Sequence, residues 1–119
     1  MAMIKPRLKT TRIKNLLAQI QQDLPHQQFE VEKIILFGSC AKNTLHPTSD
    51  LDICIVSEQE PPLKIKRQIE NYFKSYLDEE NMDLDTIYCN RTRLMSGIGV
   101  YEKIREEGVL IYENLLGNC

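Results

Sequence analysis

At 119 residues, the chain has length for one core, burying about two-thirds of its unfolded surface, and residues 1–119 read as a single domain. Its 42% hydrophobic and 27% charged residues, with five glycines and five prolines, exclude collagen-like and disordered classes. A net charge of -2 gives no broad basic surface for nucleic acid, so direct nucleic-acid binding is not expected. No apolar run approaches the roughly 20 residues of a membrane span, and none follows the basic Met1–Thr10 segment as in a signal peptide. The expected location is the cytoplasm.

Taken in chain order, Ile13, Leu16, Leu17, Ile20 and Leu24 recur at helical spacing, predicting an amphipathic helix over about 11–24 that Pro25 closes. Val31 to Phe37 is short and rich in branched residues, and it ends at Gly38, as a buried strand would. Residues 39–47 read as a brief helical turn and then a loop. The next strand, Asp50 to Val56, alternates strictly: Leu51, Ile53 and Ile55 point one way, and Asp50, Asp52 and Cys54 the other.

After a turn-rich break at 58–62, Leu63 to about Glu79 suits a helix with Ile65, Ile69, Tyr72, Phe73, Tyr76 and Leu77 as its apolar positions. Met82 to Cys89 predicts a third strand, with Asp83 and Asp85 on one face. One helix over Thr92–Glu107 is then expected to bury Leu94, Ile98, Tyr101 and Ile104, with Gly108 as its C′ glycine. Val109–Tyr112 is the last strand. Alternating helices and strands predict an α+β fold: a mixed sheet of about four strands with helices packed against it.

Several conspicuous residues read as structural. Cys40, Cys54, Cys89 and Cys119 form no C-x-x-C pair, which gives neither a zinc site nor a thioredoxin-like motif; Cys54 and Cys89 fit as small core residues. His26 and His46 are isolated. Tyr72, Phe73 and Tyr76 share helical spacing and read as packing, as do Tyr101 and Tyr112. Lys64–Arg67 and the glutamates at 102, 106 and 107 read as solvated helix faces.

The chemistry concentrates between residues 36 and 53. A strand delivers Gly38-Ser39 to a helical turn, where backbone amides and the Ser39 hydroxyl are placed to bind phosphate oxygens. Ten residues later, Asp50 and Asp52 share a strand face. Two carboxylates so close repel unless a cation lies between them, and hard oxygen ligands suit Mg²⁺. Gly-Ser alone, or D-x-D alone, is an ordinary turn or strand edge. Together, on a strand with an apolar opposite face, they read as a site for a metal-bound nucleoside triphosphate.

These residues, with Ser49-Asp-Leu-Asp-Ile-Cys-Ile, the Met82-Asp-Leu-Asp strand and the Ile104-Arg-Glu-Glu-Gly-Val-Leu-Ile-Tyr-Glu113 ending, resemble the DNA polymerase β-like nucleotidyltransferase superfamily. Within it they resemble most the minimal nucleotidyltransferase (MNT, MntA-type antitoxin) proteins. The resemblance implies that Gly38, Ser39 and Lys42 hold the triphosphate of ATP and that Asp50 and Asp52 ligate Mg²⁺. It implies a third carboxylate on the next strand, shared between two ions: Asp85 fits the pattern better, with Asp83 as a same-face neighbour. It further implies transfer of AMP to a hydroxyl, on a tyrosine of a HEPN-type toxin partner.

The sequence departs from the usual Gly-Ser-Arg-Ala-Arg-Gly at Cys40, which lacks the guanidinium, at Lys42, which keeps the charge without the fork, and at Asn43, which replaces a glycine. A different class remains open beside the enzyme: a non-catalytic antitoxin, or a nucleotide-sensing binding module, that neutralises its partner by contact.

Overall fold

The computed structural model describes residues 6–42 and 50–114, with side chains from 11 onward; the expectations for Asn43, His46 and Cys119 lie outside the described residues. The chain runs α1 (Pro6–Asp23), β1 (Lys33–Phe37), β2 (Leu51–Val56), α2 (Leu63–Leu77), β3 (Leu84–Cys89), α3 (Arg91–Ser96), α4 (Val100–Glu107) and β4 (Val109–Glu113). Single 3₁₀ turns occupy Leu24–His26, Gly38–Cys40 and Asp78–Glu80.

The strands make one four-stranded sheet in the order β3-β2-β1-β4. β1 pairs antiparallel with both β2 and β4, whereas β2 and β3 run parallel. Parallel pairing needs a crossover long enough to return the chain to the same end, and α2 supplies it. The α+β fold is therefore present, with a mixed sheet as expected.

Strand alternation sorts the side chains between two layers. Ile34, Leu36, Leu51, Ile53 and Ile55 are buried on one face against Ile13, Leu17 and Ile20 of α1 and Ile65, Ile69, Phe73 and Leu77 of α2. Phe29, Tyr72 and Tyr112 add ring contacts at that core's margin, edge-on for Phe29–Tyr72 with centroids 5.6 Å apart and tilted for Phe29–Tyr112 at 5.7 Å. Such pairs contribute about 1 kcal/mol each beyond area burial. The opposite face carries a smaller cluster of Cys54, Val56, Cys89 and Ile104, with Ile35, Phe37, Ile87, Leu94 and Tyr101 beside it. α3 and α4 cover that second face.

Three expectations change. α1 is already helical from Pro6, well before the expected start near Thr11. The helix expected over 92–107 is two helices, broken at Gly97 (φ 65°) and Gly99 (φ 62°). Left-handed backbone at both glycines ends one helix and redirects the chain into the next. Ile98, expected in the core, is consequently 73% exposed at the tip, while Ile104 is buried. Gly108 also serves differently from a C′ glycine: its φ is -73°, and a Cβ there would overlap the Ile104 carbonyl and Ile35 Cγ2. Close packing selects that glycine. Among the described residues no helix is long and apolar enough to cross a membrane.

Candidate functional site

The site face is the one partly covered by α3 and α4. β2 and β3 cross it in parallel, so residues paired in register project to the same side. Cys54 pairs with Ile87 and Val56 with Cys89 beneath the helices, and Asp52 pairs with Asp85 beyond them. Phe37, the last residue of β1, lies opposite Asp52 from the other side. The end of β1 and the starts of β2 and β3 thus meet at one edge. Both aspartates and the Gly38–Cys40 turn gather there.

Gly38 has φ 76°, a conformation that favours glycine. A Cβ at this position would overlap the Asp52 carboxylate at Oδ2. The missing side chain thus gives room to the protein's own carboxylate, a constraint that a phosphate-turn reading of the sequence does not contain. Ser39 is half-buried at the centre of the turn, followed by buried Cys40. The Ala41 and Lys42 amides both donate to the Gly38 carbonyl, at 3.1 and 3.2 Å, closing the turn.

The carboxylates act on one another. Asp52 is half-buried, and its pKa is pushed up to about 6, first by burial, then by the Asp85 charge and a side-chain hydrogen bond with Asp85, and last by the Asp50 charge. This is the behaviour of negative groups sharing a site without a counter-charge. Asp50 and Asp85 are exposed. Asp83 is exposed one step before β3, and it meets β2 through its backbone, where its carbonyl accepts from the Leu51 N–H at 3.0 Å. The register therefore sets Asp85, and not Asp83, beside Asp52.

Lys42 stands apart from this group. Its ammonium pairs with Glu107 at the end of α4, at 3.4 Å, with both side chains well exposed. The pair is of the screened surface kind, worth about 0–1 kcal/mol. The sequence marks Cys40 only as a missing guanidinium. In the structure its thiol donates to the Asp50 carbonyl at 3.2 Å. Its pKa is pushed up to about 11, chiefly by burial and then by the Asp52 charge, so it stays protonated at neutral pH. Nothing in the local sequence signals this bond, which closes across ten residues.

The donor set fits a hard divalent cation. Carboxylate oxygens from two adjacent strands gather, with no cation paired to them among the described residues, beside the Gly38–Cys40 turn. Among the described residues no three His, Cys, Asp or Glu side chains converge closely enough to hold an ion by themselves. Mg²⁺ commonly takes one or two carboxylates and completes its shell with substrate phosphates and water, so an open set remains compatible with it. A groove of about 780 Å³ beside β4 and residues 25–30 lies at the opposite sheet edge and holds none of these carboxylates.

Residues 13–111 match the family of nucleotidyltransferase domains. The chain belongs to that family. No curated protein matches this nucleotidyltransferase at a significant level. Among solved structures, its fold is similar to a toxin–antitoxin complex crystallised with AMP-PNP, at 21% identity and a TM-score of 0.52, over 87% of this chain and 75% of that one. A Sulfolobus solfataricus protein assigned as a nucleotidyltransferase aligns at 19% identity and a TM-score of 0.49, over 100% of this chain and 97% of that one. A Shewanella oneidensis MNT antitoxin in complex with its tri-AMPylated HEPN toxin aligns at 15% identity and a TM-score of 0.45, over 87% and 72%.

Proposed function

We propose that this nucleotidyltransferase moves a nucleoside monophosphate, AMP from ATP, onto a hydroxyl, and that the acceptor is a tyrosine of a HEPN-type toxin which it thereby neutralises. The observation that carries the reading is the in-register Asp52–Asp85 pair, with Asp50 adding its charge, at the strand ends where the Gly38-Ser39 turn closes. The AMP-PNP in the structurally similar toxin–antitoxin complex supports an adenine nucleotide and a protein partner.

In this mechanism the amides and hydroxyl of the Gly38-Ser39 turn hold the triphosphate tail, and Lys42 exchanges Glu107 for a phosphate oxygen. Asp50, Asp52 and Asp85 would hold two Mg²⁺ ions, with Asp83 a neighbour outside the ligand set. The bound ions would polarise the α-phosphate and offset charge on the attacking and leaving oxygens. Asp85 takes the proton from the acceptor hydroxyl. The acceptor oxygen forms a bond to the α-phosphorus, the bond from that phosphorus to the bridging oxygen breaks, and pyrophosphate leaves. Stabilising charge that develops only during transfer is what accelerates such a step. Free Cys40, Cys54 and Cys89 are consistent with a reducing cytoplasm.

The test combines the full chain, Mg²⁺, ATP labelled at the α-phosphate, and a HEPN-type protein encoded beside it. Label is expected on the partner's tyrosine and absent with Asp50→Asn/Asp52→Asn. If label never transfers while the doubly substituted chain still neutralises the partner, the protein acts by contact and the catalytic reading is wrong.

A further inference from the structure

The peptide joining Asp50 to Leu51 is held at both ends. Its carbonyl accepts from the Cys40 thiol at 3.2 Å, and its N–H, carried by Leu51, donates to the Asp83 carbonyl at 3.0 Å. One restraint comes from the glycine-serine turn and the other from the chain entering β3. Asp50 stands just outside β2 and is exposed, so this peptide is its link to the sheet. Cys40 is only 7% exposed, so the thiol end of this part-buried bond is shielded. Losing the donor to a part-buried carbonyl costs about 0.5–1.5 kcal/mol. Neither neighbouring aspartate can supply that donor when ionised, because a carboxylate only accepts.

We infer that Cys40 is a positioning residue, whose thiol ties the Gly38–Cys40 turn to the Asp50–Leu51 peptide and so holds Asp50 in line with Asp52 and Asp85. The inference rests on the reading of these carboxylates as a metal centre. The Gly38 contact with Asp52 and the Cys40 bond to Asp50 then couple one turn to two ligands. A shift of the turn moves both. The side chain at 40 needs a short donor: serine meets that need, whereas alanine and valine do not.

The test uses the full chain with Mn²⁺ alone as the probe, followed by its paramagnetic signal, together with amide hydrogen exchange at Leu51 in metal-free protein. Cys40→Ala and Cys40→Val are expected to weaken Mn²⁺ binding by about three- to tenfold, the effect of one lost hydrogen bond. Leu51 exchange should accelerate in both. Cys40→Ser should stay within about twofold of the parent in each measurement. A role in filling space alone orders the variants differently, with valine nearest the parent and serine worst. That order, or unchanged Leu51 exchange in Cys40→Ala, overturns the inference. If the unaltered protein binds no Mn²⁺ while Leu51 exchange still separates alanine from serine, the anchor stands and the metal-centre reading fails.

Discussion

One sheet face carries two unlike halves built from the same strands. Beneath α3 and α4, β2 and β3 present Cys54, Val56, Ile87 and Cys89 to Ile104, and the two thiols pack at 3.4 Å. Beyond the helices the same strands present Asp52 and Asp85. Burial is the first cause of a raised pKa for both Cys54 and Asp52. The outcomes differ because a thiol starts from 9.0 and a carboxyl from 3.8. Burial leaves the thiols neutral at physiological pH and the seam dry. Asp52 still ionises near neutrality, with two carboxylates for company. Burial therefore keeps one half neutral, while the carboxylates of the other half ionise in spite of it.

The contrast breaks most sharply at the carboxylates. On the proposed reading, Asp52→Asn or Asp85→Asn should lower labelled AMP transfer by about a thousandfold, ~4 kcal/mol of lost transition-state stabilisation. Asp83→Asn should remain within about threefold, as an exposed charge outside the ligand set does. Retained activity in Asp85→Asn with loss in Asp83→Asn would reverse that assignment. In the covered half, Ile104→Ala should cost about 3 kcal/mol in urea unfolding and leave Mn²⁺ affinity unchanged below the unfolding transition. A matching loss of affinity would show that the halves are not separable.

Gly38→Ala joins the two concerns. Its left-handed φ and overlap with Asp52 predict a loss of about 2 kcal/mol in stability together with weaker Mn²⁺ binding; unchanged binding would sink the close-approach argument. The smallest effect is in pH. Asp52 is raised from 3.8 to about 6, so the folded state favours its protonated form. Its contribution to stability is full below pH ~4 and lost as pH rises through about 6, by about 1 kcal/mol once solvent screening is allowed for. Asp52→Asn should remove this decline from metal-free thermal melts at pH 5 and 8. A decline of equal size in the variant would assign it to other groups.

Much of this was legible before any coordinates. Alternation in Asp50–Val56 separated the acidic from the apolar side of β2, and regular apolar spacing marked α1 and α2. The helix break was hidden because Leu94, Ile98, Tyr101 and Ile104 keep helical phase straight through Gly97 and Gly99. A single glycine costs a helix only about 1 kcal/mol, too little to overrule the pattern, whereas a left-handed φ at both ends it. The site was legible as a set of residue types but not as contacts. Pairing of Asp85 with Asp52 depends on strand register, and the Cys40–Asp50 bond and the Gly38–Asp52 contact depend on which strand ends meet. None of the three has a local signature. Lys42, conspicuous as a phosphate ligand, is paired with Glu107, a choice set by where α4 ends.

The parallel register of β2 and β3 has an engineering consequence. Separation of the Asp52 and Asp85 backbones is fixed by the ladder at about 4.8 Å, independently of the α2 crossover that links them. The exposed residues 58–60 are accordingly a place where the chain can be lengthened or a tag inserted without retuning the carboxylates. One residue added inside β2 after Asp52 would instead turn the rest of that strand over, carrying Cys54 and Val56 to the α1–α2 side. The connection is elastic in length, and the strands it joins are not.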